Sequence, residues 1–116
     1  MPDLFNGDPV STALAEGPAL DLAAWRERHP TSSIDRVVDL TVAYIRGQLG
    51  VNRLGAVGYC LGGKHVPRAM TVGAGIDVGF IAHPANLTDG EIRGIAGPIS
   101  IAAGGVLILS FPLCVC

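Results

Sequence analysis

Charge is scarce in this chain: 16% of its residues are Asp, Glu, Lys or Arg, against 49% hydrophobic. Disordered chains show the reverse balance, so disorder is excluded and burial is expected. At 116 residues there is material for one core, and a chain of this size buries roughly two thirds of its unfolded surface. Basic residues are equally thin. Eight Lys and Arg with a net charge of -2 form no stripe that could follow a phosphate backbone, so nucleic acid is not an expected partner. Cysteine is limited to Cys60, Cys114 and Cys116. With no C-x-x-C pair they supply neither a disulfide framework nor a zinc cluster, which points to a reducing compartment. The start, Met1 to Asp8, carries an early acid and no long apolar core, so no secretory signal is expected and the cytoplasm is the default location.

Only one stretch is long and uncharged enough to suggest a bilayer, Gly94 to Cys116. Gly97, Pro98, Gly104, Gly105 and Pro112 interrupt it, and Ile99 to Ala103 reads as a buried strand, so a membrane span is not the expected outcome.

What is present is an alternation of elements. Beyond a short extension at Asp3-Leu4-Phe5, the first 18 residues are broken by glycine and proline and read as loop. Leu20 to His29 suits a short helix. Ile34, Val37, Val38, Val42, Ile45 and Leu49 then recur at helical spacing, with Ser32 or Ser33 as cap and Gly50 as stop. Asp35, Arg36, Asp39 and Arg46 fall mostly opposite that stripe, which predicts a helix covering a sheet. Arg53 to Gly58 and Ile76 to Ala82 are apolar runs read as strands, with a helix over Lys64 to Val72 between them. The second run ends at His83-Pro84, because the residue before a proline avoids helical geometry. Thr88 and Glu91 have capping-box spacing ahead of a brief helix to Ile95. The order implies an α/β fold with a parallel sheet flanked by helices and right-handed crossovers.

One motif carries chemistry: Gly58-Tyr59-Cys60-Leu61-Gly62-Gly63. Gly58-x-Cys60-x-Gly62 is the nucleophile-elbow pattern with cysteine in place of serine. A turn that sharp predicts collisions for side chains at Gly58 and Gly62, and a strained backbone at Cys60. The helix N-terminus there favours an anion, and the Leu61 amide can donate to an oxyanion. The plainer alternative is a small buried cysteine in a glycine-rich turn. A dinucleotide or Walker loop fails, since neither the G-x-G-x-x-G spacing nor Gly-Lys-Ser/Thr is present.

Four blocks set this motif in a wider context: Pro2-Asp3-Leu4-Phe5-Asn6-Gly7-Asp8-Pro9, Gly55 to Lys64, Gly79-Phe80-Ile81-Ala82-His83-Pro84 and Gly97 to Ala103. In order and spacing the chain resembles the dienelactone hydrolase family, its fungal members above all. The resemblance implies an α/β-hydrolase fold, no cofactor and no metal, and hydrolysis of a small lactone or ester by a Cys, Asp and His triad. Only Cys60 of that triad has a counterpart here. No Asp or Glu follows Glu91 and no His follows His83. The family-like sequence over 1–103 gives way near Gly104 to an apolar tail, 104–116, unlike the family, as expected of a truncated or mis-spliced product. By the same resemblance the N-terminal strands and the C-terminal strand and helix of the fold are missing, and with them a second oxyanion donor. A partial fold of this kind predicts an inactive chain.

The three histidines are weighed as substitute bases. His29, among Arg26, Glu27 and Arg28, reads as a surface residue. His65, five residues past Cys60 on the next helix, approaches the thiol only awkwardly. His83 ends a strand at the carboxyl edge where α/β sheets bind ligands, so it and Phe5 are candidate pocket residues. Pro67 is expected to weaken the helix after the turn. The missing strand leaves an open edge beside the strand leading to Cys60, which suggests self-association or an interaction protein that pairs through that edge.

Overall fold

A computed structural model describes residues 2–10 and 21–103 of the chain. The first helix, α1 (Leu22–Arg28), begins where the Asp21 carboxylate accepts from the amides of Ala23 and Ala24, satisfying two of the free donors of a helix start. The second, α2 (Thr31–Gly47), opens one residue ahead of the expected serines. Pro30 stands at its N-cap, and Ser33 donates its hydroxyl to the Pro30 carbonyl instead of capping. Gly50, at φ +64, lies just past its end, a backbone conformation that glycine adopts without steric cost.

The remaining elements alternate as expected: β1 (Gly55–Tyr59), α3 (Leu61–Arg68), β2 (Val78–Ala82), α4 (Asp89–Arg93) and β3 (Ile99–Ala102). The strands form a parallel sheet in the order β1-β2-β3, with Gly55 opposite Val78, Tyr59 opposite Ala82, and Gly79 opposite Ile99. The capping box forms in full: the Thr88 hydroxyl accepts from the Glu91 amide at 3.3 Å, and the Glu91 carboxylate accepts from the Thr88 amide at 2.8 Å.

The core sits between α3 and one face of the sheet. Val66, Met70 and Ile81 are buried there, with Ala56, Ile76, Leu87, Ile95 and Ile99 packed around them. Each of the three buried side chains contributes about 1.5–3 kcal/mol through its removal from water. A side chain at Gly79 would run into Met70 and Val66, so this glycine sets how closely α3 approaches β2.

Two expectations about the layers are corrected. The strand at Ile99 to Ala103 was read as buried, yet its Ile101 is 39% exposed, as are Val57 at 63% and Tyr59 at 60% in β1, because among the described residues nothing covers the face opposite α3. Nor does α2 cover the sheet. Its backbone lies closest to α3 and farther from the strands. The reason lies in two of its supposed solvent-side residues. Asp35 binds His65 and Arg68 of α3, while Arg46 donates to the carbonyls of Gly75, Val51 and Asn52 and to the Asp77 carboxylate.

The apolar tail 104–116 lies outside the described residues. Among those described, no helix is long and apolar enough to cross a membrane.

Candidate functional site

β1 carries the chain to the carboxyl edge of the sheet, and α3 leaves it at once, so the single residue between them makes the whole turn. That residue is Cys60, at φ 50 and ψ -112. Such a backbone is sparsely populated for a residue with a side chain and persists only where its surroundings hold it. Here the Cys60 amide donates to the Ala82 carbonyl at 3.1 Å and its carbonyl accepts from the Ala85 amide at 3.0 Å. Both restraints come from the end of β2 and the loop after it, so the turn is clamped by the neighbouring strand.

The sequence anticipated crowding at two glycines, and it occurs at one of them. A Cβ on Gly58 would lie 2.6 Å from the Gly62 carbonyl carbon and 2.8 Å from the Gly63 nitrogen, both backbone atoms. A Cβ on Gly62 would meet nothing within 4 Å. The second crowded position is Gly63, where it would lie 3.0 Å from Pro84. The collision is thus between β1 and the first turn of α3, and the Gly62 side-chain direction points clear of it.

Cys60 is exposed, and among the described residues its thiol is in no disulfide. It caps none of the first-turn amides of α3 with its side chain, so the Leu61 amide beside it is one of the free donors at this helix start. Tyr59 leans toward His83, ring centres 6.2 Å apart, and toward Phe80, at 6.4 Å. His83 is exposed, with a left-handed backbone at φ 36. It therefore stands near the turn, beside the residue that precedes the thiol.

No carboxylate or imidazole among the described residues hydrogen-bonds to Cys60, and no group of three or more His, Cys, Asp and Glu among them could hold a metal ion. His65 is occupied elsewhere. Its side chain is 5% exposed, and Nδ1 lies 2.8 Å from Asp35. Since a carboxylate only accepts, Nδ1 carries the proton, and Nε2 is buried without a partner among the described residues. His29 is not a surface residue either. Its side chain is 10% exposed, packed on Trp25 and Phe5 at 4.5 and 5.5 Å and bonded to Asp8. Phe5 therefore belongs to an aromatic cluster on α1, while its other side lines a cavity under β1 that also reaches Leu61 and Gly62.

What the local pattern did not disclose is the ionic cluster that holds α3. Arg68 bridges Asp35 of α2 and Glu91 of α4, and Lys64 bonds to Glu91 and the Asn86 carbonyl. Burial alone would raise the Glu91 pKa, but the Thr88 amide, Arg68 and Lys64 outweigh it and hold the group at about 2, down from 4.5. Asp35 follows the same logic: burial opposes, and hydrogen bonds from Arg68 and His65 bring it below the usual carboxylate range. The helix behind Cys60 is thus pinned on two sides. Pro67, within α3, is buried among these contacts.

With this geometry in place, comparison with known proteins is decisive at the level of family. The dienelactone hydrolase family model matches residues 1–106. The chain belongs to that family. It is 43% identical over 103 residues to hydrolase pyvD of Aspergillus violaceofuscus, covering 89% of this chain and 41% of that protein. To hydrolase tropI of Talaromyces stipitatus it is 38% identical over 111 residues, 89% of this chain and 42% of the relative. A carboxymethylenebutenolidase homolog of Mus musculus is 32% identical over 83 residues, 67% of this chain and 33% of that protein. The chain therefore spans about two fifths of the length of the fungal relatives. No solved structure matches it significantly. Family membership agrees with the partial α/β-hydrolase fold, of which the parallel sheet with flanking helices is present.

Proposed function

We propose that residues 1–103 carry the nucleophile half of a thiol hydrolase of small lactones or esters, with Cys60 as nucleophile at a nucleophile elbow and the Leu61 amide as oxyanion donor. The observation that carries this reading is the Cys60 backbone, held at φ 50 and ψ -112 with the residue exposed at the tip of β1. A buried structural cysteine needs neither the exposure nor the strain. In the reaction, the Cys60 thiol gives its proton to water, its sulfur bonds to the substrate carbonyl carbon, and the carbonyl electrons move onto oxygen, facing the Leu61 amide. Collapse of that intermediate breaks the carbon–oxygen bond, releases an alkoxide that takes a proton, and leaves a thioester. In a lactone the released alcohol stays tethered to the acyl group. Water must then cleave the thioester, and this second half needs a base.

That base is missing from this chain's turn. The family triad calls for an acid and a histidine, and the sequence after β3 contains neither. Asp35 and His65 form an acid–imidazole pair, but it is committed to Arg68, and among the described residues neither side chain bonds to Cys60. On this reading the chain acylates and stops. Phe5, His83 and Tyr59 are the side chains we place around the acyl group. Mixing the purified chain with p-nitrophenyl acetate tests both parts. A burst of one nitrophenolate per chain is expected, absent in Cys60→Ala. Turnover far above that variant would contradict the missing relay, and a burst that survives Cys60→Ala would remove Cys60 from the role.

A further inference from the structure

Cys60 and Leu61 share one peptide group, and because that group is trans its carbonyl and its amide face opposite ways. Whatever holds the Cys60 carbonyl therefore aims the Leu61 amide. The holder is the Ala85 amide, which donates to that carbonyl at 3.0 Å. Ala85 belongs to the loop between β2 and α4, and two non-glycine residues of this loop have left-handed backbones, His83 at φ 36 and Asn86 at φ 49. Such conformations persist only where their surroundings fix them. On one side of Ala85, the His83 amide is tied to β3, donating to the Ala102 carbonyl at 2.9 Å. On the other side, the Asn86 carbonyl accepts from the Lys64 ammonium at 2.9 Å. Lys64 reaches across from the first turn of α3, and its largely buried ammonium also lies 3.2 Å from the Glu91 carboxylate. Arg68 and the Thr88 amide fix that carboxylate in turn.

We propose that Lys64 is a positioning residue: by gripping the Asn86 carbonyl it keeps the Ala85 amide on Cys60, and so keeps the Leu61 amide aimed at the carbonyl oxygen of a bound ester. The proposal rests on the reading of Cys60 as nucleophile and of the Leu61 amide as oxyanion donor. Lys64 acts through the loop backbone, since its ammonium bonds to Asn86 and Glu91 and not to Cys60. With the ammonium gone, the left-handed backbone at Asn86 loses its tether and relaxes toward ordinary geometry. The Ala85 amide then leaves the Cys60 carbonyl, and the shared peptide group is free to turn the Leu61 amide away from the oxyanion. The sulfur itself stays at the tip of β1, because the Cys60 amide is still bound to the Ala82 carbonyl. Lys64 therefore serves the carbonyl chemistry of Cys60 and not its simple reactivity as a thiol.

The test compares two reactions of the same sulfur in the full chain. Acetylation by p-nitrophenyl acetate builds an oxyanion that needs the Leu61 amide, whereas iodoacetamide alkylates the sulfur with loss of iodide and builds none. In Lys64→Met the acetylation burst is expected to slow about tenfold or more, as misplaced catalytic groups do, with alkylation of Cys60 staying within about twofold. Lys64→Arg, which can still donate to both the carbonyl and Glu91, is expected to recover most of the loss. Should Lys64→Met fail to fold by circular dichroism, Lys64→Gln stays polar beside Glu91, falls short of the Asn86 carbonyl, and is expected to show the same split. Equal slowing of both reactions would overturn the proposal, because it would mean that the lysine serves the thiol or the fold at large. So would an unchanged burst in the neutral variants. A burst that is absent from the unaltered chain, or that survives Cys60→Ala, would instead remove the nucleophile reading, and this proposal with it.

Discussion

Replacing Glu91 with glutamine isolates the ionic cluster behind Cys60. The Glu91 side chain is 8% exposed and bonds to Arg68 at 2.7 Å and the Thr88 amide at 2.8 Å, with Lys64 at 3.2 Å. Its fall from 4.5 to about 2, at about 1.4 kcal/mol per pKa unit, is worth about 3 kcal/mol. The folded-state value lies below the unfolded one. The contribution is therefore present in full above the unfolded value and drains away as pH falls from about 5 toward 2. Asp35 adds loss of the same sign at the acid end. In urea denaturation followed by circular dichroism, Glu91→Gln is expected to be about 3 kcal/mol less stable than the unaltered chain near neutrality. That gap should close to less than about 1 kcal/mol near pH 2, where Glu91 is about half protonated in the folded chain and almost wholly so in the unfolded one. Against a total stability of about 5–15 kcal/mol for an ordinary domain, the difference is easily read. Parallel pH curves for the two proteins would refute the reasoning, because they would mean that the carboxylate gains nothing from its partners.

Substitutions at Gly58, Gly62 and Arg46 test the turn and the loops behind it. Gly58→Ala is expected to destabilise by 2 kcal/mol or more, roughly what overpacking against an unyielding backbone costs, while Gly62→Ala should fall within about 1 kcal/mol of the unaltered chain or improve on it. Urea midpoints for the pair check this, and equal losses at both positions would contradict the close approach of β1 and α3. Arg46→Lys should fail to restore what Arg46→Ala loses, on the order of 1–2 kcal/mol, since one ammonium cannot reach the carbonyls of Gly75, Val51 and Asn52 and the Asp77 carboxylate together. Hydrogen exchange in the loops at 51–54 and 73–77 should rise in both variants.

Much of the fold could be read from local pattern because its determinants are local. Helical spacing from Ile34 to Leu49, the Thr88 and Glu91 cap and the break at His83-Pro84 each act within a few residues, and α2, α4 and the end of β2 fall where they predict. The layer arrangement was not legible, because its determinants are far apart in the chain. Asp35 looked like a solvated helix residue, and its partners His65 and Arg68 lie about 30 positions on. His29 sat among charged neighbours and was read as exposed, yet Trp25 one helical turn before it and Phe5 far back in the chain pack on its ring, the latter across a separation no periodicity reports. At the candidate site, the strand, turn and helix around Cys60 follow from the glycines. Which glycine is crowded depends on how β1 meets α3, so Gly58 is crowded as expected, while Gly62 was assigned a collision that falls on Gly63 instead.

Locating the acyl group is the most direct trial of the central claim. The chain would be incubated with a small activated lactone, quenched in acid, and digested for mass spectrometry. One acyl group per chain, on the peptide containing Cys60 and persisting for hours without release, is the result expected. An unmodified Cys60, or an adduct there that turns over as fast as it forms, would contradict a nucleophile poised at the turn without its relay.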